Sequence, residues 1–548
     1  MAVCRPLQGR LRNHRGVADL VYNLYWQTTK KEEGPKPLLL PSCGIVLVVQ
    51  TNTKRGGKMN ITVNLDFDKR EIENFQELER TIHRAVLKLG SEIAAKALEA
   101  MDEQLLDSRD VKRFRCKGFQ KTCIKTIMGP VEFKRRVYLD NAAVEGTHCV
   151  HLLDEALELN QIGLVTEDVC ALTATAACET SYRAAAKMVS EATGLSMSAQ
   201  GAWNIVQKLG ESQMTRIERH AELAQHGQGV GILETKLLYE ENDGIWLKLQ
   251  GKDRKQYGKD KEMKMGIAYP GVRWKLCKSG KKRRTLDNKV AYATFDSVKE
   301  FRRCKEGLVA SRFDTSGIDL RIVNGDGAQW IQKKKGVKTI SVLDKYHRNK
   351  KITECAGNTE FADNLRKLLF AGDTDMVLTF IEAQINSLLP EESQKEIDKL
   401  QELYSYFAEN KEALLDPYKR GIEIPETYAP GEVHHARLGS MESNVFTLIG
   451  NRMKGRRRCW SIRGGNHLAV LLSAYHTSGF EHLFAELPSP PKPKEMWTDT
   501  LPMFGASKVP EREGHGYDYC HTPSLAAAAG TWLRELCRTM LRGSGNNF

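Results

Sequence analysis

The chain is organised around the stretch Leu320-Arg-Ile-Val-Asn-Gly-Asp-Gly-Ala-Gln-Trp-Ile331. Its mostly apolar start, Leu320–Val323, predicts a short buried strand. Asp326 follows between two glycines, an arrangement that leaves room for a charged group, such as a metal-bound phosphate, close to the backbone. Taken alone, however, the Asn-Gly and Asp-Gly pairs favour a simple hairpin turn. The choice between a turn and a binding site therefore depends on the other acidic residues of the chain.

The segments around this stretch predict a mixed α and β fold. Strands are expected at 238–250, 264–269, 289–295 and 339–343, with a helix at 297–310 and a short helix after Asp326. The predicted elements follow the order strand, strand, strand, helix, strand, helix, strand. This is the order of the ribonuclease H fold. There, a carboxylate on the first strand and one at the end of the fourth meet at one sheet edge. Asp243 and Asp326 occupy these two places.

A third acid of such a site usually comes from a late helix. Ser440 is a good helix N-cap, and Glu442, Val445, Ile449 and Met453 share one helical face. A carboxylate in a first turn also suits the helix dipole, but two matching acids upstream favour a metal ligand. Asp243, Asp326 and Glu442 therefore predict a catalytic site for two Mg²⁺ or Mn²⁺ ions, since phosphodiester transfer needs hard oxygen ligands.

The charge of the chain points to a polyanionic partner. The net charge is +13 over 548 residues, and the basic residues form five clusters, which suggests nucleic acid. The candidate DNA contacts are Arg113, Arg115, Lys117, Ser198, Gln200, Lys454, Arg456, Arg457 and Arg458. No P-loop or dinucleotide-binding pattern is present. Scattered cysteines, no secretory signal and no apolar run of membrane-spanning length predict a cytoplasmic protein that associates with the nucleoid when bound to DNA.

The N-terminal half predicts a DNA-binding region. A helix is expected at 70–107, a basic β-hairpin at 113–139 and a helix-turn-helix at 182–209, with Gly194 in the turn and Ser198 as a cap. Gly210 is expected to end the second helix, whose Trp203, Val206 and Leu209 share one face. The predicted organisation is a disordered arm or upstream extension (1–58), the DNA-binding region (59–230), a ribonuclease H-like core (231–354 and 426–480), a helical insertion (355–425) and a tail (481–548).

Four blocks of the sequence resemble, in order, the transposases of the bacterial ISLre insertion-sequence family, formerly catalogued as uncharacterised. The blocks are Glu241-Asn-Asp243, Asn324-Gly-Asp-Gly-Ala-Gln-Trp-Ile331, Leu343-Asp-Lys-Tyr-His-Arg-Asn-Lys350 and Gly439-Ser-Met-Glu442. The resemblance runs from about Met59 to Phe480 and extends distantly to mutator-type transposases. It implies a DDE-type enzyme that cleaves and joins DNA at terminal inverted repeats, with target DNA as a second partner and a homo-oligomer as the working form.

The first block departs from the Glu-Ala-Asp expected in the family, so either Glu241 or Asp243 is the first ligand. Asp344 is predicted to cap a helix, and His347 either positions the substrate or packs. The arginines at 456–458, next to Trp460, suit a DNA backbone close to the scissile bond. Two other functions fit the same residues: a nuclease of this fold that performs no strand transfer, and an inactive, transposase-derived DNA-binding protein.

Overall fold

The computed structural model describes four strands before residue 74 and residues 74–480 except 143–148, 158, 160–163, 230, 278 and 332–337. The four strands form an antiparallel sheet in chain order: β1 (Gln8–Leu11), β2 (Leu20–Gln27), β3 (Cys43–Asn52) and β4 (Lys58–Phe67). The disordered arm predicted for 1–58 falls partly outside the described residues and stays a prediction. The predicted tail at 481–548 lies outside them entirely.

A long helix and a β-hairpin follow. Their elements are α1 (Phe75–Ser108), β5 (Phe114–Thr126), β6 (Gly129–Asp140), β7 (Cys149–Val150) and α2 (Leu152–Leu157). The side chain of Asn74 accepts a hydrogen bond from the backbone N–H of Glu77 and so caps α1. The apolar residues of α1 are covered only in part: Leu89 is buried, whereas Phe75 and Val86 are exposed. The C-terminal half of α1 packs on the hairpin through Ala94, Leu98 and Leu105.

The helix-turn-helix segment forms part of a larger helical layer. It contains α3 (Glu167–Glu179), α4 (Tyr182–Thr193) and α5 (Ala199–Gln225). Gly194, in the left-handed conformation, ends α4, and the Ser198 hydroxyl caps α5, as predicted. The prediction that Gly210 ends the second helix is wrong, because Gly210 lies inside α5 against His467, where a Cβ would come within 2.5 Å of the His467 Cβ. Trp203 is exposed rather than part of the buried face.

The central sheet begins after α5. Its region contains β8 (Leu233–Glu234), β9 (Leu237–Lys248), α6 (Gly251–Tyr257), β10 (Asp260–Tyr269), β11 (Val272–Leu276), β12 (Lys282–Leu286), β13 (Val290–Thr294), α7 (Val298–Arg312), β14 (Phe313–Asp314), β15 (Leu320–Gly325) and β16 (Lys338–Leu343). The five-stranded sheet has the order β13-β10-β9-β15-β16. Strand β10 runs antiparallel to β9 and β13, whereas β15 runs parallel to both β9 and β16. The turn at Asp326 therefore does not close a hairpin, because the strands that flank it are parallel.

The remaining helices form two groups. The first contains α8 (Lys345–Ala356), α9 (Glu360–Ala371), α10 (Thr374–Ser387), α11 (Pro390–Glu409) and α12 (Lys411–Leu414). It includes the predicted insertion and buries a hydrophobic cluster that contains Leu365, Ile381 and Phe407. The second contains α13 (Met441–Asn444), a π-helical turn (Val445–Gly450), α14 (Asn451–Met453) and α15 (Ile462–Tyr475).

The two faces of the sheet are covered by different helices. Helix α7 packs on one face, where Val309 contacts the cluster around Leu238. The segment from α13 to α15 packs on the other, in the largest core cluster, which includes Tyr239, Ile245 and Leu471. This cluster also contains Val206 of α5, so packing continues across the predicted boundary at residue 230. The fold is a mixed α+β architecture with several sheets, and within the described ranges no helix is long and apolar enough to cross a membrane.

Candidate active site

The candidate site lies where β15 ends beside the middle of β9. Because side chains alternate along a strand, Glu241 and Asp243 of β9 point to one face of the sheet, and Glu240 and Asn242 to the other. Asn324 of β15 pairs in register with Glu241. Asp326, two residues beyond Asn324, comes close enough to Asp243 for their charges to interact. Asp243 and Asp326 therefore lie near each other, and their joint role as metal ligands stays a prediction.

Asp243 is a half-buried carboxylate in a negative environment. Its side chain is 15% exposed, and the Gly244 backbone N–H donates to its Oδ1 at 2.7 Å. The pKa of Asp243 is raised to about 6: burial is the largest cause, Asp326 and Asp344 add to the rise, and His347 and the Gly244 hydrogen bond oppose it. A carboxylate in this position gains from an additional positive charge.

Asp326 is held by the turn in which it lies. Its Oδ1 accepts a hydrogen bond from the Ala328 N–H at 2.9 Å, and its backbone carbonyl accepts one from the Tyr406 hydroxyl at 2.7 Å. The interpretation of the flanking glycines as room for a ligand is wrong for Gly325, because a Cβ there would meet Ile331 at 2.6 Å. The other flanking glycine, Gly327, adopts a φ of 88°, which favours glycine.

Asp344 and His347 complete the acidic cluster. Asp344 caps α8, as predicted, by accepting hydrogen bonds from the backbone N–H groups of Tyr346 and His347. Its other oxygen accepts from Asn324 Nδ2 at 2.9 Å. Burial raises the pKa of Asp344, but its bonds with His347 and Asn324 outweigh burial and hold it below the usual value. His347 Nδ1 lies 3.3 Å from Asp344 Oδ2, and its Nε2 lies 4.0 Å from Asp243 Oδ1. Its contact with Asp344, opposed by burial and helped by Asp243, raises the pKa of His347.

Glu241 uses both carboxylate oxygens within the protein. Oε1 accepts from the Tyr269 hydroxyl, and Oε2 accepts from Asn324 Nδ2 and from the backbone N–H groups of Gly439 and Ser440 at 2.9 to 3.1 Å. The N-terminus of α13 is therefore anchored by Glu241. Of the two candidates in the first acidic block, Asp243 has the freer oxygens and is the better metal ligand.

Glu442 lies on the exposed side of α13, two residues after this anchor. Ser440 occupies the N-cap position of α13, as predicted, but its side chain makes no capping hydrogen bond. Glu241 instead binds the N–H groups of Gly439 and Ser440, just before the helix. In the part of the chain that the structure describes, no three His, Cys, Asp or Glu side chains converge closely enough to hold a metal ion. The structure thus brings Asp243, Asp326, Asp344 and His347 together and leaves Glu442 on the adjoining helix.

Some of the predicted DNA-contact residues are exposed, and others are engaged in contacts within the protein. Arg115, Lys117, Lys454, Arg456 and Arg457 are exposed. Arg113 is exposed but paired with Asp140 at 2.9 Å, Ser198 caps α5, and the Gln200 side chain bonds that of Asn204.

The arginine-rich segment after α14 makes contacts within the protein that its sequence does not indicate. Arg458 donates to the carbonyls of Asn451 and Arg452 at the end of the preceding helix. Trp460, expected beside a DNA backbone, is buried, and its Nε1 donates to the Met453 carbonyl. The aromatic partner predicted for these arginines is therefore a core residue.

Asn324 was not predicted as a site residue. It bridges Glu241 and Asp344 with one amide group. The signal that could have identified it is a polar residue in a strand that is buried along its whole length, two positions before Asp326.

Comparison with known proteins places the chain in a family. The profile of the uncharacterised protein family UPF0236 matches residues 69–483. A protein of Streptococcus gallolyticus described as "UPF0236 protein in vanSb 3'region" is 24% identical over 420 residues, which cover 75% of this chain and 84% of the relative. The chain therefore belongs to the uncharacterised protein family UPF0236.

Proposed function

We propose that this protein is a DDE-type transposase with a ribonuclease H-like core, which cleaves an insertion sequence at its terminal inverted repeats and joins it to target DNA. The observation that carries the proposal is the pair Asp243, in the middle of β9, and Asp326, just after the end of the parallel strand β15. The order β13-β10-β9-β15-β16 supports the ribonuclease H-like assignment, because both acids then stand at the places that such an enzyme needs.

The two aspartates have the chemistry of ligands for a divalent cation. Asp243 and Asp326 offer hard oxygen atoms, and the raised pKa of Asp243 reflects its burial and, after that, the neighbouring carboxylates. We assign Asp243, Asp326 and Glu442 as the residues that would hold Mg²⁺ or Mn²⁺, with Glu442 contributed by α13. When bound, such ions activate an attacking hydroxyl and stabilise the leaving oxygen in phosphodiester transfer. Glu241 positions α13, and His347, between Asp344 and Asp243, orients the Asp243 carboxylate.

The decisive test compares two substitutions in β15 and its flanks. Asp326→Asn removes a proposed ligand, whereas Asp319→Asn removes an exposed carboxylate just before the other end of the same strand. The probe is a duplex carrying the inverted repeats that flank the gene, incubated with the full chain in Mg²⁺ or Mn²⁺. We expect Asp319→Asn to cut like the wild type and Asp326→Asn to lose roughly 10³-fold or more in rate, with DNA binding unchanged.

Two outcomes would change the assignment. Cutting by Asp326→Asn at the wild-type rate would refute the catalytic role of this site. Cleavage that yields no joined strands, on a target plasmid present in the same reaction, would identify a nuclease that performs no transposition.

A further inference from the structure

The β11–β12 hairpin lies outside the central sheet and borders a cleft. The cleft has a volume of about 600 Å³ and is also lined by the end of α7, by the segment from Ser440 to Thr447 and by residues that follow α15. The hairpin is fixed at its base, where Val272 pairs with His434 and where Arg273 binds Asp287 and Glu432 at 2.6 Å each. The cleft is therefore built on a braced element.

The lining of the cleft is strongly cationic. It contains six lysines and arginines and one carboxylate, Asp287. Asp287 is already bound by Arg273, the Tyr428 hydroxyl and Asn288. None of the ion pairs described for the chain involves the other five cations, which are Lys275, Arg283, Arg284, Lys289 and Arg312. Among the described residues, therefore, no carboxylate balances the positive charge of these five cations.

Lys289 is the innermost of these cations. Its ammonium donates to the Asn444 side-chain oxygen at 2.9 Å, and burial lowers its pKa. A desolvated ammonium with a neutral partner gains free energy from a nearby anion. Asn444 in turn donates to the Ser440 carbonyl, so Lys289 is coupled to the first turn of α13.

The cleft leads to the candidate active site. Ser440 lines it, and the Ser440 backbone N–H binds Glu241 on β9 at 3.1 Å. Glu442 lies on the same turn of helix. On the hairpin, Trp274 lies outside the lining of the cleft, is 53% exposed and stands opposite Arg284, which does line the cleft. An exposed aromatic ring beside arginines can stack a nucleobase while the arginines contact phosphates.

We propose that this cleft binds the sugar-phosphate backbone of a single DNA strand next to the scissile phosphate, with Trp274 stacking on one of its bases. This proposal rests on the proposed function, because it identifies where the substrate strand leaves the candidate active site. Phosphates occupy the position between the hairpin cations and Lys289, and the strand passes the Ser440 turn toward Asp243.

The test measures DNA binding by two triple variants with equal charge change. Lys275→Gln, Arg283→Gln and Arg284→Gln together remove the hairpin cations. Lys367→Gln, Lys395→Gln and Lys399→Gln together remove three exposed cations of the helical insertion. The probe is a fluorescein-labelled single strand of about 16 nucleotides, whose anisotropy is followed with the full chain at several salt concentrations.

We expect the hairpin triple to bind about ten-fold or more weakly and its dependence of log Kd on log salt to fall by about two, because three phosphate contacts are lost. The insertion triple should bind like the wild type. Equal binding by both triples would overturn the proposal.

A second measurement avoids any effect of the substitutions on folding. Strands carrying 4-thiothymidine are crosslinked to the wild-type chain by light, and the attached peptides are identified by mass spectrometry. Crosslinks in 272–286 support the proposal, and crosslinks confined to other segments contradict it. The two proposals fail separately: a chain that never cuts DNA yet crosslinks at the hairpin refutes the transposase assignment alone, whereas cutting without hairpin involvement refutes the cleft alone.

Discussion

The two faces of β9 carry two polar clusters of opposite character. On the face covered by α7, Glu240 binds Lys305 and Arg321 at 2.6 Å each, and Arg321 also binds Glu306 at 2.8 Å. Lys305 additionally donates to Asn242. Two cations thus balance two carboxylates, and most of this network is buried.

The opposite face is unbalanced. There Asp243, Asp326 and Asp344 share one imidazole, that of His347. Comparing the charge balance of the two faces distinguishes structural from functional polar residues when both are shielded from solvent. A network whose charges cancel holds elements together, whereas a cluster with excess charge of one sign is built to receive a partner of the other.

The largest effect on stability is expected from the balanced face. Lys305→Met keeps the length of the side chain but leaves the buried Glu240 with Arg321 as its cation. We expect the free energy of unfolding to fall by about 3 kcal/mol, because a buried charge loses a partner. Urea unfolding measures it, with the exposed Lys299→Met on the same helix as the control. Equal stability of the two variants would show that the network does not lock the sheet to α7.

Glu241→Gln tests whether a residue on the acidic face can have a purely structural role. Glu241 lies on the acidic face but is satisfied by hydrogen bonds, so it should behave as a structural residue. The glutamine NH₂ would face the N–H groups of Gly439 and Ser440, and we expect a loss of about 2 kcal/mol.

The same substitution should displace α13 and lower the rate of DNA cleavage without weakening DNA binding. The exposed Glu423→Gln, in the segment that leads to α13, is the control. Wild-type stability together with a complete loss of metal binding would instead make Glu241 a ligand.

An effect similar in size to that of Glu241→Gln, but of opposite sign, is expected for Asp243→Asn. The pKa of Asp243 is about 6 in the folded chain, above its ordinary value of 3.8, so the folded protein holds this proton more tightly than the unfolded chain does. Ionisation therefore costs stability as pH rises through this window. The variant should be more stable than the wild type by about 2 kcal/mol near pH 8, with little difference near pH 4.

Thermal unfolding with a chelator present, across this pH range, measures the difference. Adding Mg²⁺ near neutral pH should raise the Tm of the wild type and leave that of Asp243→Asn unchanged, since the cation then compensates the charge. A wild type more stable than the variant at high pH in the absence of metal would contradict the electrostatic account.

Local patterns were sufficient for much of the architecture. The strand at 238–250, the apolar run of β15 and the helices between 355 and 425 were predicted, and the structure contains them. The cap at Asp344 was predicted as well. The hairpin of β11 and β12 was missed, because β11 alternates over only five residues and β12 is mostly basic. So short a period, on strands that are largely exposed, is a weak signal for a strand.

Sequence patterns were enough to predict most strands and helices of the sheet region and the acid that follows β15, because these features depend on residues a few positions apart. Folding set the roles of residues whose partners are far away in the chain. Glu241 became an anchor through Ser440, and Trp460 became a core residue through packing on the sheet. The cleft beside Ser440 combines four segments in the same way. Burial and hydrogen bonding between distant segments are properties of the folded chain, and no local period encodes them.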